Sequence, residues 1–159
     1  MNDKNYTTNY IVPQTPDEVF AAINNVRGWW SEDVIGDTDK QGATFHYGFR
    51  DIHRTEIAIT EITPSRRVVW HVVKNYFNFT QDETEWTGTD IVFEIEPDAT
   101  GTKLTFTHIG LVPHFECFDV CSNGWGTYIN GSLKALITTG EGHPNEGEPL
   151  NDSEAALSA

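Results

Sequence analysis

The stretch that decides the fold is SNGWGTYINGSLKALITTGEG, Ser122–Gly142. With the residues just before it, it has helical spacing. Phe118, Cys121, Trp125, Ile129, Leu133 and Leu136 follow at steps of three and four and form one apolar stripe. Thr127, Asn130, Ser132 and Lys134 lie largely off that stripe, and Gly140 supplies a stop. Yet Gly124, Gly126 and Gly131 sit inside the helix, where each glycine costs about 1 kcal/mol relative to alanine. Two accounts of them stand open. Either the helix packs closely on a curved sheet or on another helix, or volume is left empty beside Trp125.

Upstream, the hydrophobic period is two. Phe45, Tyr47 and Phe49 share a face, as do Ile57 and Ile59, then Ile91, Phe93 and Ile95, then Leu104, Phe106 and His108. The run SRRVVWHVV (Ser65–Val73) is apolar on both faces and reads as a strand buried on both sides. NYTTNYIV (Asn5–Val12) reads as a first strand. TPDEVFAAINNVRGWW follows, with Thr15 as N-cap, Pro16 at the first helical position and Glu18 completing a capping box. Val19, Phe20, Ile23 and Val26 give this helix its apolar stripe, and Gly28 stops or bends it before Trp29 and Trp30. The expected fold is α+β: about six antiparallel strands, one or two short helices after the first, and a long C-terminal helix. That helix covers the apolar face of the sheet.

The chain has 159 residues, 24 acidic and 10 basic, for a formal net charge of -14. This size fits a single domain, here 1–143, followed by a flexible acidic tail rich in Gly, Pro and Glu, 144–159. The negative field argues against nucleic acid and anionic lipid as partners. No stretch approaches a membrane span, and no apolar leader opens the sequence. The expected setting is the reducing cytoplasm, with Cys117 and Cys121 as packed thiols. No cofactor motif is present. The Tyr6–Val12 strand, if it lies at an edge, offers a way to pair two copies, so monomer and homodimer both stand.

Four stretches resemble a known family: TPDEVFAAINNVRGWWSED, ITEITPSRRVVWHV, GTKLTFTHIGL and GWGTYINGSLKALITTGEGHP. In this order they resemble the START-like, helix-grip superfamily, and within it the homologues of the activator of the heat-shock chaperone ATPase. The likeness implies a curved sheet gripping the long helix, often with a cavity between them. It also implies a chaperone ATPase as one candidate partner. The superfamily hosts carriers, enzymes and interaction modules, so the likeness alone does not choose a function.

The aromatic richness favours a binding protein for a small apolar or amphipathic molecule. The expected cavity wall is Trp30, Phe45, Tyr47, Phe49 and Trp70 from the first half of the chain. Phe93, Phe106 and His108 join it from the last strands, and Phe118, Cys121, Trp125 and Ile129 from the helix. His46, Arg50, Arg54 and His71 would add polarity only if they faced inward. His108 is the one candidate acid/base, although an inward histidine is more often structural. If the helix began early, His114, Cys117 and Cys121 would share a face, and with His108 would form a candidate zinc set. Phe115 and Phe118 argue for core packing instead. Enzymatic activity is not the favoured reading.

Overall fold

The computed structural model describes residues 4–157; residues 1–3 and 158–159, the ends of the expected domain and tail, lie outside the described residues. Seven antiparallel strands form one sheet in the order β1-β7-β6-β5-β4-β3-β2. They are β1 (Tyr6–Val12), β2 (Val34–Ile35), β3 (Thr44–Phe49), β4 (His53–Thr63), β5 (Arg67–Phe77), β6 (Asp90–Asp98) and β7 (Gly101–Ile109). The strand beyond the expected six is β2, whose two residues are too short to show a period. The sheet carries a long C-terminal helix on one face, the helix-grip arrangement.

Helix α1 (Pro16–Asn24) starts as its sequence dictates. Thr15 Oγ1 accepts from the Glu18 amide at 3.2 Å, and Glu18 Oε1 accepts from the Thr15 amide at 3.0 Å. Val19, Ala22 and Ile23 are buried, and Val26 follows them in a 3₁₀ turn, Val26–Gly28. The inward faces of the strands alternate as expected: Ile91, Phe93, Leu104, Phe106 and His108 are fully buried. The two-sided burial expected of Ser65–Val73 does not occur. Val68, Trp70 and Val72 face the core, but Val69 and His71 are half-buried and Val73 is 42% exposed. Among the described residues no element covers the outer face there.

The long helix is continuous but changes type. Helix α2 (Phe118–Trp125) passes into a π-helical segment (Gly126–Leu133) and then α3 (Lys134–Thr139), closed by Gly140 in the left-handed region at φ 87°. In the π segment hydrogen bonds reach five residues instead of four, so each turn consumes more chain. The buried positions therefore advance by fours, through Trp125, Ile129, Leu133 and Ile137, and Leu136 is only partly buried. The close-packing account of the glycines fails as well. A Cβ built at Gly124, Gly126 or Gly131 meets nothing within 4 Å. The intimate glycine lies later: a Cβ at Gly142 would collide with the Gly28 carbonyl.

From Pro144 the chain folds back over the open end of the sheet. Asn145 is 1% exposed and is clamped between the Trp30 carbonyl and the Glu32 amide, both at 2.9 Å. Arg50 Nε donates to the Gly147 carbonyl at 2.6 Å. A short helix, α4 (Asp152–Leu157), ends the described chain. The composition of 144–159 reads as tail because its few anchors are polar and isolated.

Candidate functional site

Two strands and a loop bring the site's first wall together. Tyr47 lies on β3 and His53 opens β4. Trp86 comes from the loop between β5 and β6, which two glutamates tie to the helix start. Glu85 accepts from the amides of Glu116 and Cys117 at 2.6 and 3.0 Å, while Glu116 accepts from those of Gln81 and Asp82, both at 2.9 Å. This clasp sets Trp86 parallel to Trp125 of the long helix, with centroids 5.6 Å apart and planes at 11°. Trp30 meets Trp125 at 5.1 Å and stacks on Tyr47 at 3.9 Å.

Between these rings lies a small cavity of about 60 Å³. Trp30, Tyr47, Phe49, Cys121 and Trp125, all expected in the wall, line it. Phe45, Trp70, Phe93, Phe106, His108 and Ile129 do not: each is 0% exposed in solid core. Phe118 is partly buried and packs outside the lining. Tyr76, on β5, is 40% exposed. His46, Arg54 and His71 face outward too, paired with Glu56, Asp33 and Asp90.

His108 is enclosed by hydrogen bonds. Trp125 Nε1 donates to its Nδ1 at 3.0 Å, so the ring proton sits on Nε2. Nε2 then donates to Thr89 Oγ1 at 2.8 Å, which donates to the Trp86 carbonyl at 2.6 Å. Burial, with the nearby His53 adding to it, lowers the His108 pKa to about 3. A sealed, neutral imidazole whose two nitrogens are engaged joins the helix to the sheet. It is not placed to exchange protons with a ligand.

The zinc set is not assembled. Helix α2 begins at Phe118, after the Glu85 carboxylate has taken the two preceding amides, so His114 remains on an exposed turn while Cys117 and Cys121 are buried. Among the described residues no group of three His, Cys, Asp or Glu side chains is placed to hold a metal ion. Burial, then the hydrogen bond with Cys117, pushes the Cys121 thiol well above its usual range, away from a nucleophilic thiolate.

The family model described as activator of Hsp90 ATPase homolog 1-like protein matches residues 14–138. The chain belongs to this family. Its fold is similar to that of the Aha1 dimer from Colwellia psychrerythraea, with a TM-score of 0.70 and 22% identity over 87% of this chain and 99% of that one. MLL2253 from Mesorhizobium loti gives 0.65 and 14% identity, over 80% of this chain and 92% of that one. DynU16, from the dynemicin biosynthetic locus, gives 0.65 and 19% over 89% of this chain, which spans 49% of DynU16. No match was found among the curated proteins.

Within this AHSA1 fold the cavity has lining residues that the sequence reading missed. His53 was legible, since it shares the inward parity of Thr55, Ile57 and Ile59. Its Nε2 meets Asn75 Oδ1 at 2.9 Å, and burial holds its pKa near 3 despite that bond. Tyr128, three positions past Trp125, is buried beside Ile129 and was left off the single apolar stripe. Glu154 and Leu157 belong to the segment expected as tail. Glu154 is 8% exposed, accepting from the Tyr128 hydroxyl at 2.8 Å and the Leu150 amide at 2.7 Å.

Proposed function

We propose that this AHSA1-family chain is a binding module that holds one small, largely apolar molecule between the sheet, the long helix and the C-terminal segment. The observation that carries this is the cavity itself. Aromatic rings from β3, the β5–β6 loop and the helix converge on it, with a few polar groups at its edge, the usual make-up of a ligand pocket. Gly124 lines the same space, and the open volume beside it accounts for a helical glycine that packs against nothing. The test is titration with naphthalene, an uncharged apolar probe, followed by calorimetry, with native mass spectrometry of protein taken from cells. A 1:1 complex that Gly124→Leu abolishes without unfolding the protein is the expected result. No binding to the wild type, and no small molecule travelling with it, would overturn the reading.

A second reading rests on the family: a module that contacts the chaperone ATPase. The family description and the similarity to an Aha1 structure support it, and a surface with formal charge -14 favours a basic partner site. An ATPase assay with the chaperone, at low and high salt, tests it; no stimulation at either salt would remove it. The edge position of β1 and the dimeric state of the Colwellia protein support a homodimer, which sedimentation decides. A cytoplasmic location is part of the same proposal. Nothing in the surroundings of His108 supports the enzymatic reading.

A further inference from the structure

The cavity has one polar end, formed by Tyr47, Tyr128 and Glu154. Tyr128 and Glu154 are bonded to each other, and Asn145 Nδ2 donates to the Tyr128 hydroxyl at 3.3 Å. Tyr47 differs. It is 4% exposed, lines the cavity and takes part in neither of these bonds. A tyrosine hydroxyl on the cavity wall can both donate and accept a hydrogen bond. Tyr47 shares the cavity wall with Cys121, Tyr128 and Glu154.

We propose that this end selects the chemical class of the ligand: an aromatic molecule, uncharged or cationic, that presents a hydroxyl or amino group to Glu154 and Tyr47. The inference rests on the cavity reading above and adds what the cavity rejects. A ligand hydroxyl donates to the Glu154 carboxylate and accepts from the Tyr47 hydroxyl. An ammonium donates to both and is stabilised further by the surrounding ring faces. A carboxylate of the same shape would set a second anion against Glu154 where little water screens it, a penalty of about 100-fold or more in affinity.

Size adds a condition. The space of about 60 Å³ is well below the ~150 Å³ that admits a benzene ring in an engineered apolar cavity. Something must yield, and Leu157 is the lining side chain nearest the end of the described chain. It is half-buried at the end of a six-residue helix, three positions past Glu154. Ligand entry pushes Leu157 outward while Glu154 keeps its bonds to Leu150, Tyr128 and Asn151.

The experiment uses three probes of one shape: 2-naphthol, 2-naphthylmethylamine and 2-naphthoate, titrated into the full chain at pH 7 by calorimetry. The alcohol and the amine should bind, with naphthoate weaker by about 100-fold or more. Glu154→Gln should bring naphthoate within about 10-fold of naphthol, and Leu157→Ala should tighten all three. If naphthoate binds wild type as tightly as naphthol, the class assignment is wrong and the cavity reading stands. If none of the three binds wild type or Leu157→Ala, both are wrong.

Discussion

The interior has two halves made of the same kind of residue, and they behave differently. In the sealed half Trp29, Trp70, Phe45, Phe93 and Phe106 are all 0% exposed. Trp70 alone meets Trp29, Trp30, Phe45 and Phe93 within 6.2 Å. In the other half Trp86, Trp125 and Tyr47 surround space. Aromatic content does not separate the halves. What separates them is the cover. The sealed half lies under α1 and the branched side chains of Ile129 and Leu133, whereas the open half lies under Gly124 and a segment that returns from the C-terminus.

The largest effect expected of this contrast is on stability. Trp70→Ala should cost about 3–5 kcal/mol, whereas Phe79→Ala, beside the cavity, should cost about 1 kcal/mol. Urea unfolding of both variants checks this, and equal losses would erase the distinction between the halves.

Next comes pH. The imidazoles of His53 and His108 are held near 3 in the folded chain, while in the unfolded chain they titrate near 6.5. The unfolded state therefore takes up protons first, and stability is whole above about pH 6.5 and falls as pH drops toward 3. Each histidine contributes a slope of at most about 1.4 kcal/mol per pH unit. Between pH 6.5 and 5, before most carboxylates titrate, the urea midpoint should fall visibly in wild type. His108→Gln should flatten about half of that slope, at its own cost of about 1–3 kcal/mol for disturbing the partners of Trp125 and Thr89. An unchanged slope would mean that the histidine is not sealed.

The smallest effects concern the glycines. Gly126→Ala and Gly131→Ala should each stabilise the chain by up to about 1 kcal/mol, because the added methyl meets nothing and helix propensity improves. Gly124→Ala should do the same for stability but weaken naphthalene binding, since Gly124 alone of the three lines the cavity. Thermal unfolding with and without the probe separates these outcomes.

How far the sequence could be read follows from how each signal is encoded. The strands of the sealed half alternate, and the Thr15–Glu18 capping box states where α1 begins, so the elements of that half were legible, although the outer face of β5 and the solid packing around Trp70 and Phe93 were not. The site was not. Its geometry depends on a helical face wide enough to bury Tyr128 beside Ile129, and a single stripe counted through Ile129 does not show that width. It also depends on Glu154, a carboxylate in a stretch with the composition of a tail, which accepts from the Tyr128 hydroxyl and the Leu150 amide. His53 carried the right parity, but a histidine among outward-facing arginines gives no sign of which neighbours it will meet.

The paired clasp of Glu85 and Glu116 has a kinetic consequence. Each carboxylate holds two amides on the other's segment, so neither segment can open alone without leaving the other's acid unsatisfied. The backbone protons of Gln81, Asp82, Glu116 and Cys117 should therefore trade with deuterium in step, at one shared rate. The loop and the helix start, 31–35 residues apart along the chain, would then breathe as a single unit.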